Sequence, residues 1–259
     1  MNFIDNDIKA VILDMDGVLW KSNEPLCDLN QLFQKFNANN LRFLFATNNA
    51  LRTVTQYVEK FSSLGVKVAE EQILTSAIAT GYLLSKDFPE GGPVYIMGSS
   101  ALQATLLEYN FPFTEDHPIA VVGGLDPNIS YDRLKKASLF IQSGIPFYFT
   151  NSDATFPTPE GLCPGAGTFL AALETASGVK AKIAGKPQPF LFEACLQRLG
   201  TSPAETLTIG DRLETDILGG FRAGCKTALV LSGVSTRQDL LNWAPQPDLV
   251  IDNLMQLFD

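Results

Sequence analysis

The chain has 259 residues, 46% of them hydrophobic and 18% charged, with a formal net charge of −9. This is the composition of a globular protein with a sizeable core, and it excludes an intrinsically disordered chain. The acidic balance, with no basic run, speaks against a nucleic-acid polymer as partner, because phosphate backbones draw basic faces. A small phosphorylated ligand remains compatible if a metal or a local cation offsets the repulsion. Cys27, Cys163, Cys195 and Cys225 form no Cys-x-x-Cys pair and read as buried free thiols in a reducing compartment. The stretch MNFIDNDIKA carries acids and no long apolar segment, and no window reaches the ~18 apolar residues of a membrane span. The expectation is a cytoplasmic protein without membrane association.

In chain order, short apolar runs alternate with amphipathic segments, the pattern of an α/β fold with a parallel sheet. IKAVIL (8–13) reads as the first strand, and Leu29, Leu32, Phe33 and Phe36 place a helix near 28–38. RFLFA (42–46) is a second strand, apolar on both faces, followed by helices near 52–63, ending at Gly65, and 75–86. KDFPEGGP (86–93) is a candidate domain junction. Strands at 94–97, 119–124 and 145–150 then alternate with helices near 99–109 and 130–142. A long loop over 151–167 and a helix near 168–177 complete this middle part. From about 183 the strand–helix–strand pattern resumes, with a helix at 188–199, a strand at 206–210, a helix at 215–224 and strands at 226–233 and 248–252. The simplest topology is one α/β domain made from both ends of the chain, with a second α/β domain inserted in the middle.

Ligands of open parallel sheets bind at the carboxyl ends of the strands. Asp14 and Asp16 follow the first strand; Thr47, Asn48 and Asn49 follow the second; Asp211 and Asp216 follow TLTIG; Lys186 lies just beyond the inserted part. Each has a plain structural alternative: a turn for Asp14–Gly17, an N-cap or loop for Thr47, Asn48 and Asn49, a solvated lysine, a helix-dipole complement for Asp216. Taken together, four carboxylates in a small space call for a hard divalent cation such as Mg²⁺. Lys186 adds a second positive centre, and Thr47 and its neighbours add donors for a tetrahedral phosphate. One carboxylate could attack phosphorus, and a second, two residues away, could protonate the leaving oxygen and then activate water.

These motifs resemble the haloacid dehalogenase superfamily of phosphohydrolases: DMDGVL for its first motif, Thr47 for its second, Lys186 in GKPQP for its third and GDRLETD for its fourth. TNN, PGAGTFLAALETASG and GDRLETDI are similar to the NagD-type subfamily of small-molecule phosphatases, which includes 4-nitrophenylphosphatases. The resemblance implies a Rossmann-like parallel-sheet core at 1–79 and 183–259, with an inserted α/β cap domain at 80–182. It implies Asp14 as nucleophile and Mg²⁺ ligand, and Asp16 as general acid/base and, through its backbone carbonyl, a second ligand. Thr47 and Asn48, with Asn49 nearby, would hold the phosphoryl group. Lys186 would neutralise nucleophile and phosphate, Asp211 would be the third protein ligand and Asp216 would stand behind it.

The expected activity is a Mg²⁺-dependent phosphatase acting on small phosphate monoesters through an aspartyl-phosphate. The alternative is a non-catalytic phospholigand sensor that keeps the fold. Asp16 separates phosphatase from dehalogenase, since halide departure needs no proton donor and an alkoxide does. The loop 153–167 resembles the family's substrate-specificity loop and offers Asp153, Thr155, Phe156, Thr158 and Glu160 but no histidine, lysine or arginine. A small or planar, weakly charged leaving group is therefore expected. The one histidine, His117, reads as a surface or packing residue. By resemblance the cap could also mediate a homodimer.

Overall fold

The computed structural model describes residues 7–158 and 160–258. The first stretch runs β1 (Ala10–Leu13), the short strands β2 (Trp20–Lys21) and β3 (Glu24–Pro25), α1 (Leu29–Ala38), β4 (Arg42–Thr47), α2 (Val54–Ser63) and β5 (Ile73–Thr75). The middle runs α3 (Ser76–Asp87), β6 (Val94–Met97), α4 (Ser100–Glu108), β7 (Ala120–Gly123), α5 (Tyr131–Gln142), β8 (Phe147–Phe149), β9 (Thr155–Thr158), β10 (Gly161–Pro164), α6 (Ala166–Ser177) and β11 (Lys182–Ile183). The last stretch runs α7 (Phe190–Leu199), β12 (Thr206–Gly210), α8 (Leu218–Arg222), β13 (Lys226–Val230), α9 (Arg237–Leu240) and β14 (Leu249–Ile251). Two compact units result: Met1–Thr47, Val54–Leu74 and Lys186–Asp259 form the first, Asn48–Thr53 and Thr75–Gly185 the second.

The first unit is a six-stranded sheet in the order β14-β13-β12-β1-β4-β5. β1 pairs in parallel with both β4 and β12, and β12–β13 and β13–β14 are parallel as well. A central strand is covered on both faces, which is why all four residues of β1 are apolar and buried. From β1 the chain builds outward on one side through β4 and β5, and on the other through β12, β13 and β14. β1 is therefore the topological switch point, and its carboxyl end opens where ligands bind in such sheets. Helix α1 starts where Asp28 Oδ1 accepts from Gln31 N at 3.0 Å, and buries Leu29, Leu32, Phe33 and Phe36 at the helical period. Phe33, Phe45 and Phe61 meet with ring centroids 4.6–6.4 Å apart, and Trp20 stands edge-on to Phe61 at 5.0 Å. Each such pair is worth about 0.5–1.5 kcal/mol beyond its buried area.

The second unit has its own parallel sheet, β11-β8-β7-β6, over a core of Tyr95, Val121, Ile141, Phe147, Phe149 and Leu173. Ser99 and Ser130 cap α4 and α5 by accepting from Leu102 N and Arg133 N.

Where this differs from the sequence reading, the reasons are local. The inserted segment expected at 80–182 lies inside the second unit, which is entered at Thr75, before α3, and left at Gly185. The Pro/Gly stretch 86–93 connects α3 to β6 within that unit, since turn residues mark any helix-to-strand connection. Lys182 and Ile183 pair with Tyr148 and Phe149, so this strand extends the second unit's sheet and does not open the core. The expected loop at 151–167 folds as an antiparallel hairpin, β9 with β10, whose pairs include Phe156 with Cys163. The helix expected at 215–224 begins as one wide π turn, Leu213–Ile217, before α8. β5 and the β2–β3 pair were not foreseen, being three and two residues long.

Candidate active site

Asp14 leaves the central strand with its N–H donating to Ile209 O at 2.8 Å, which fixes it between the ends of β4 and β12. The chain then folds back on itself: Leu19 N donates to Met15 O at 2.8 Å and Gly17 N to Trp20 O at 2.8 Å. This turn requires glycine at 17. Its φ is +87°, and a Cβ there would stand 2.5 Å from Asp211 Oδ2.

Lys186 is 2% exposed and reaches Asp14 Oδ1 at 2.6 Å, Asp216 Oδ1 at 2.6 Å and Ala46 O at 3.0 Å. All three of its ammonium protons are thereby placed. Asp216 is held from its other side by Arg212 N, 3.1 Å from Oδ2, and Gly210 leaves room for it. The wide turn at 213–217 gives the chain this return path; such turns recur at functional sites. Asp211 is gripped by the loop after β13. Val234 N donates to its Oδ2 at 2.8 Å, and Ser235 N to its backbone carbonyl at 2.9 Å. Ser232 Oγ in the same loop donates to Gly17 O at 2.7 Å. Sequence reasoning missed this loop; its signal was the run of small residues in LSGVS after an apolar strand.

One carboxylate oxygen each from Asp14, Asp211 and Asp216 lie within 4.8 Å of one another. With all three ionised, three carboxylates against one ammonium leave two uncompensated negative charges, which one divalent cation would balance. Burial works against the charge of Lys186, but Asp14 and Asp216 outweigh it and hold its pKa above the ordinary value. Burial and then the charge of Asp216 push the Asp211 carboxyl up to about 7. Burial raises Asp14 too, opposed by Lys186 and reinforced by Asp216 and Asp211. Crowded, desolvated oxygen ligands of this kind suit a hard cation.

Asp16 stands apart from that cluster. Its Oδ1 accepts from Trp20 Nε1 at 2.8 Å and lies 3.9 Å from Lys60 Nζ. Thr47 is buried at the end of β4, the strand beside β1. Asn48 and Asn49 belong to the second unit. There Asn48 Nδ2 donates to Asp153 Oδ1 at 2.9 Å, and its carbonyl accepts from Ser76 Oγ and Asn151 Nδ2. Asn49 Oδ1 accepts from Leu51 N at 2.9 Å. The structure thus brings Lys186 into contact with Asp14 and Asp216, sets an Asp211 oxygen within 4.8 Å of theirs, and leaves the Asp16 carboxylate outside that cluster. In the hairpin Thr158 Oγ1 donates to Glu160 Oε2. His117 is exposed, and of the four cysteines, all free, Cys195 and Cys225 are buried. Among the described residues no helix is long and apolar enough to cross a membrane.

Fold and site together define a phosphate-handling α/β hydrolase. Family models agree: haloacid dehalogenase-like hydrolase over residues 11–112 and HAD-hydrolase-like over 183–257. The chain is 33% identical over 235 residues to an acid sugar phosphatase of Staphylococcus aureus, covering 90% of each chain. It is 31% identical over 248 residues to the 5'-nucleotidase YutF of Bacillus subtilis, covering 96% of each. Among solved structures, NagD from Escherichia coli matches with a TM-score of 0.88 and 33% identity over 95% of this chain and 97% of that one. A glycerol phosphate phosphatase from Mycobacterium tuberculosis, in complex with magnesium, matches with a TM-score of 0.91 and 32% identity over 98% of this chain and 77% of that one. The chain belongs to the haloacid dehalogenase-like hydrolases, as a phosphatase of the NagD type. It is a phosphoric monoester hydrolase.

Proposed function

We propose that the chain hydrolyses small phosphate monoesters through an aspartyl-phosphate on Asp14, with Mg²⁺. The observation that carries this reading is the contact of Asp14 with a buried Lys186 at the carboxyl end of the central strand, beside Asp211 and Asp216. Lys186 engages Asp14 Oδ1, so attack on phosphorus from Oδ2 breaks no existing bond. As the Asp14–phosphorus bond forms and the ester bond breaks, Asp16 gives its proton to the departing oxygen. Water then attacks the aspartyl-phosphate, Asp16 takes a proton from it, and phosphate leaves with Asp14 restored. Lys186 offsets negative charge at the nucleophile throughout.

Asp14 and Asp211 would hold Mg²⁺, with the backbone carbonyl of Asp16; the bound cation supplies positive charge for the phosphoryl oxygens. Asp216, whose oxygens are taken by Lys186 and Arg212 N, is an orienting residue in this scheme. Thr47, Asn48 and Asn49 are the proposed phosphoryl donors. The hairpin 155–164 carries no lysine, arginine or histidine, which favours a small leaving group of low charge. The proposed partner is therefore a small phosphorylated metabolite. The test is hydrolysis of 4-nitrophenyl phosphate with Mg²⁺, followed by acid quench and peptide mass spectrometry. Phosphate on the peptide carrying Asp14, and loss of turnover with chelator, are expected; an active Asp14→Asn enzyme refutes the scheme.

A further inference from the structure

Trp20 is fully buried, and its single polar atom is spent on Asp16: Nε1 donates to Oδ1 at 2.8 Å. The indole is held by two consecutive residues of α2. Lys60 Nζ lies 4.1 Å from the ring centroid, and Phe61 meets it edge-on with centroids 5.0 Å apart at 72°. Lys60 is itself tied down, donating to Ser22 O at 3.0 Å, and its ammonium lies 3.9 Å from the same Asp16 Oδ1. The backbone closes the loop, with Gly17 N donating to Trp20 O.

We propose that Trp20 and Lys60 are positioning residues that dedicate the two oxygens of Asp16 to different tasks. An indole N–H and an ammonium donate and cannot accept. With both at Oδ1, Oδ2 is the oxygen they leave for the proton that the general-acid step delivers. When the ester P–O bond breaks, that proton passes from Oδ2 to the departing oxygen and the electron pair stays on Asp16. The carboxylate charge then spreads to Oδ1, where the Trp20 N–H and the Lys60 ammonium already stand. Their interaction strengthens as charge develops, so it lowers the barrier of that step and not merely the energy of the resting site. This inference rests on the general-acid role proposed for Asp16.

The consequence is specific to the leaving group. A 4-nitrophenolate departs readily without a proton, and an alkoxide does not. The experiment measures kcat/KM, which reports the steps through formation of the aspartyl-phosphate, for monoesters running from 4-nitrophenyl to alkyl phosphate. Three variants are compared with the parent protein: Asp16→Asn, Lys60→Met, and a protein with benzothienylalanine at position 20. The last keeps the bicyclic ring and removes the N–H. It is expected to lose about ten-fold more on the alkyl ester than on the 4-nitrophenyl ester, part of the 10²–10⁴-fold range of general acid catalysis. Lys60→Met, which keeps an apolar stem over the indole, is expected to shift in the same direction by less. Equal losses along the series in both, or no loss, overturn the inference. If Asp16→Asn also loses equally along the series, the general-acid role itself fails; if it alone shows the steep dependence, that role stands and only the inference falls. Should the position-20 protein not fold, as judged by circular dichroism, Lys60→Met decides by the same criterion.

Discussion

Lys186 Nζ lies 2.6 Å from an oxygen of Asp14 and 2.6 Å from an oxygen of Asp216, holding two carboxylates that would otherwise face each other across a buried site. One ammonium therefore serves both the proposed nucleophile, Asp14, and Asp216 behind it. Removing the ammonium leaves two buried carboxylates without compensation, whereas removing one carboxylate leaves the ammonium still paired with the other.

Lys186→Met is expected to destabilise the protein by about 3–5 kcal/mol, the usual cost of stranding buried charge. Urea unfolding measures it. Added Mg²⁺ is expected to recover part of the loss, because a cation can take over the neutralisation. Phosphatase activity is not expected to recover with it.

Asp14→Asn behaves in the opposite way. It removes one charge from a site with more carboxylates than cations. Without metal its Tm is expected to equal or exceed that of the parent protein, while turnover falls by at least about a thousand-fold with the nucleophile gone. Differential scanning calorimetry beside a 4-nitrophenyl phosphate assay checks both halves.

Two glycines outside the β-region of φ separate strain from collision. Gly144 has φ +94° with nothing within 4 Å of the place a methyl would occupy, so Gly144→Ala carries backbone strain alone, about 1–3 kcal/mol. Gly17 has φ +87°, and its methyl would meet Asp211 Oδ2 at 2.5 Å. Gly17→Ala is expected to cost more stability and to weaken Mg²⁺ affinity as well, since Asp211 must move. Mg²⁺ titration of activity, with Gly144→Ala as reference, distinguishes the two.

Acid stability of the second unit is expected to depend on Asp87. Lys182 Nζ and Tyr148 Oη donate to its Oδ2 at 2.8 and 2.6 Å and hold its pKa below the ordinary 3.8. A carboxyl with a lowered pKa in the folded state contributes stability above the unfolded value, and that contribution is lost as pH falls through the folded value. The stability difference between the parent protein and Asp87→Asn is therefore expected to be constant well above the unfolded value and to shrink as pH falls from there through the lowered folded value. Urea midpoints across that range measure it; a difference that persists at the acid end counts against the linkage.

The periodic elements were legible because burial writes them directly: Leu29, Leu32, Phe33 and Phe36 can only be a helix face, and AVIL only a doubly covered strand. The site was legible for a related reason. Asp14, Asp211 and Lys186 interrupt or follow apolar runs, where a charge is expensive unless it works. What stayed hidden depends on partners distant in sequence. Nothing near Lys182 says that it pairs with Tyr148, and nothing near Trp20 says that its N–H is aimed at Asp16. The hairpin at 155–164 escaped notice because Pro157 and Pro164 dilute its alternation.

The strand order of the first unit has a bearing on how the protein is made. Ala10 pairs with Arg42 on one side and with Thr206 on the other. The first pairing is available early in synthesis; the second waits until the whole intervening unit has been translated. Until then β1 offers an uncovered, wholly apolar edge, the kind of surface on which nascent chains aggregate. Asp14 sits at the end of that edge, while Lys186 and Asp211 arrive only with the C-terminal part. Closure of the sheet by β12 is a long-range, slow event by its contact order, and it coincides with assembly of the charge cluster. The nascent protein thus gains this charge cluster and loses its sticky edge in the same step.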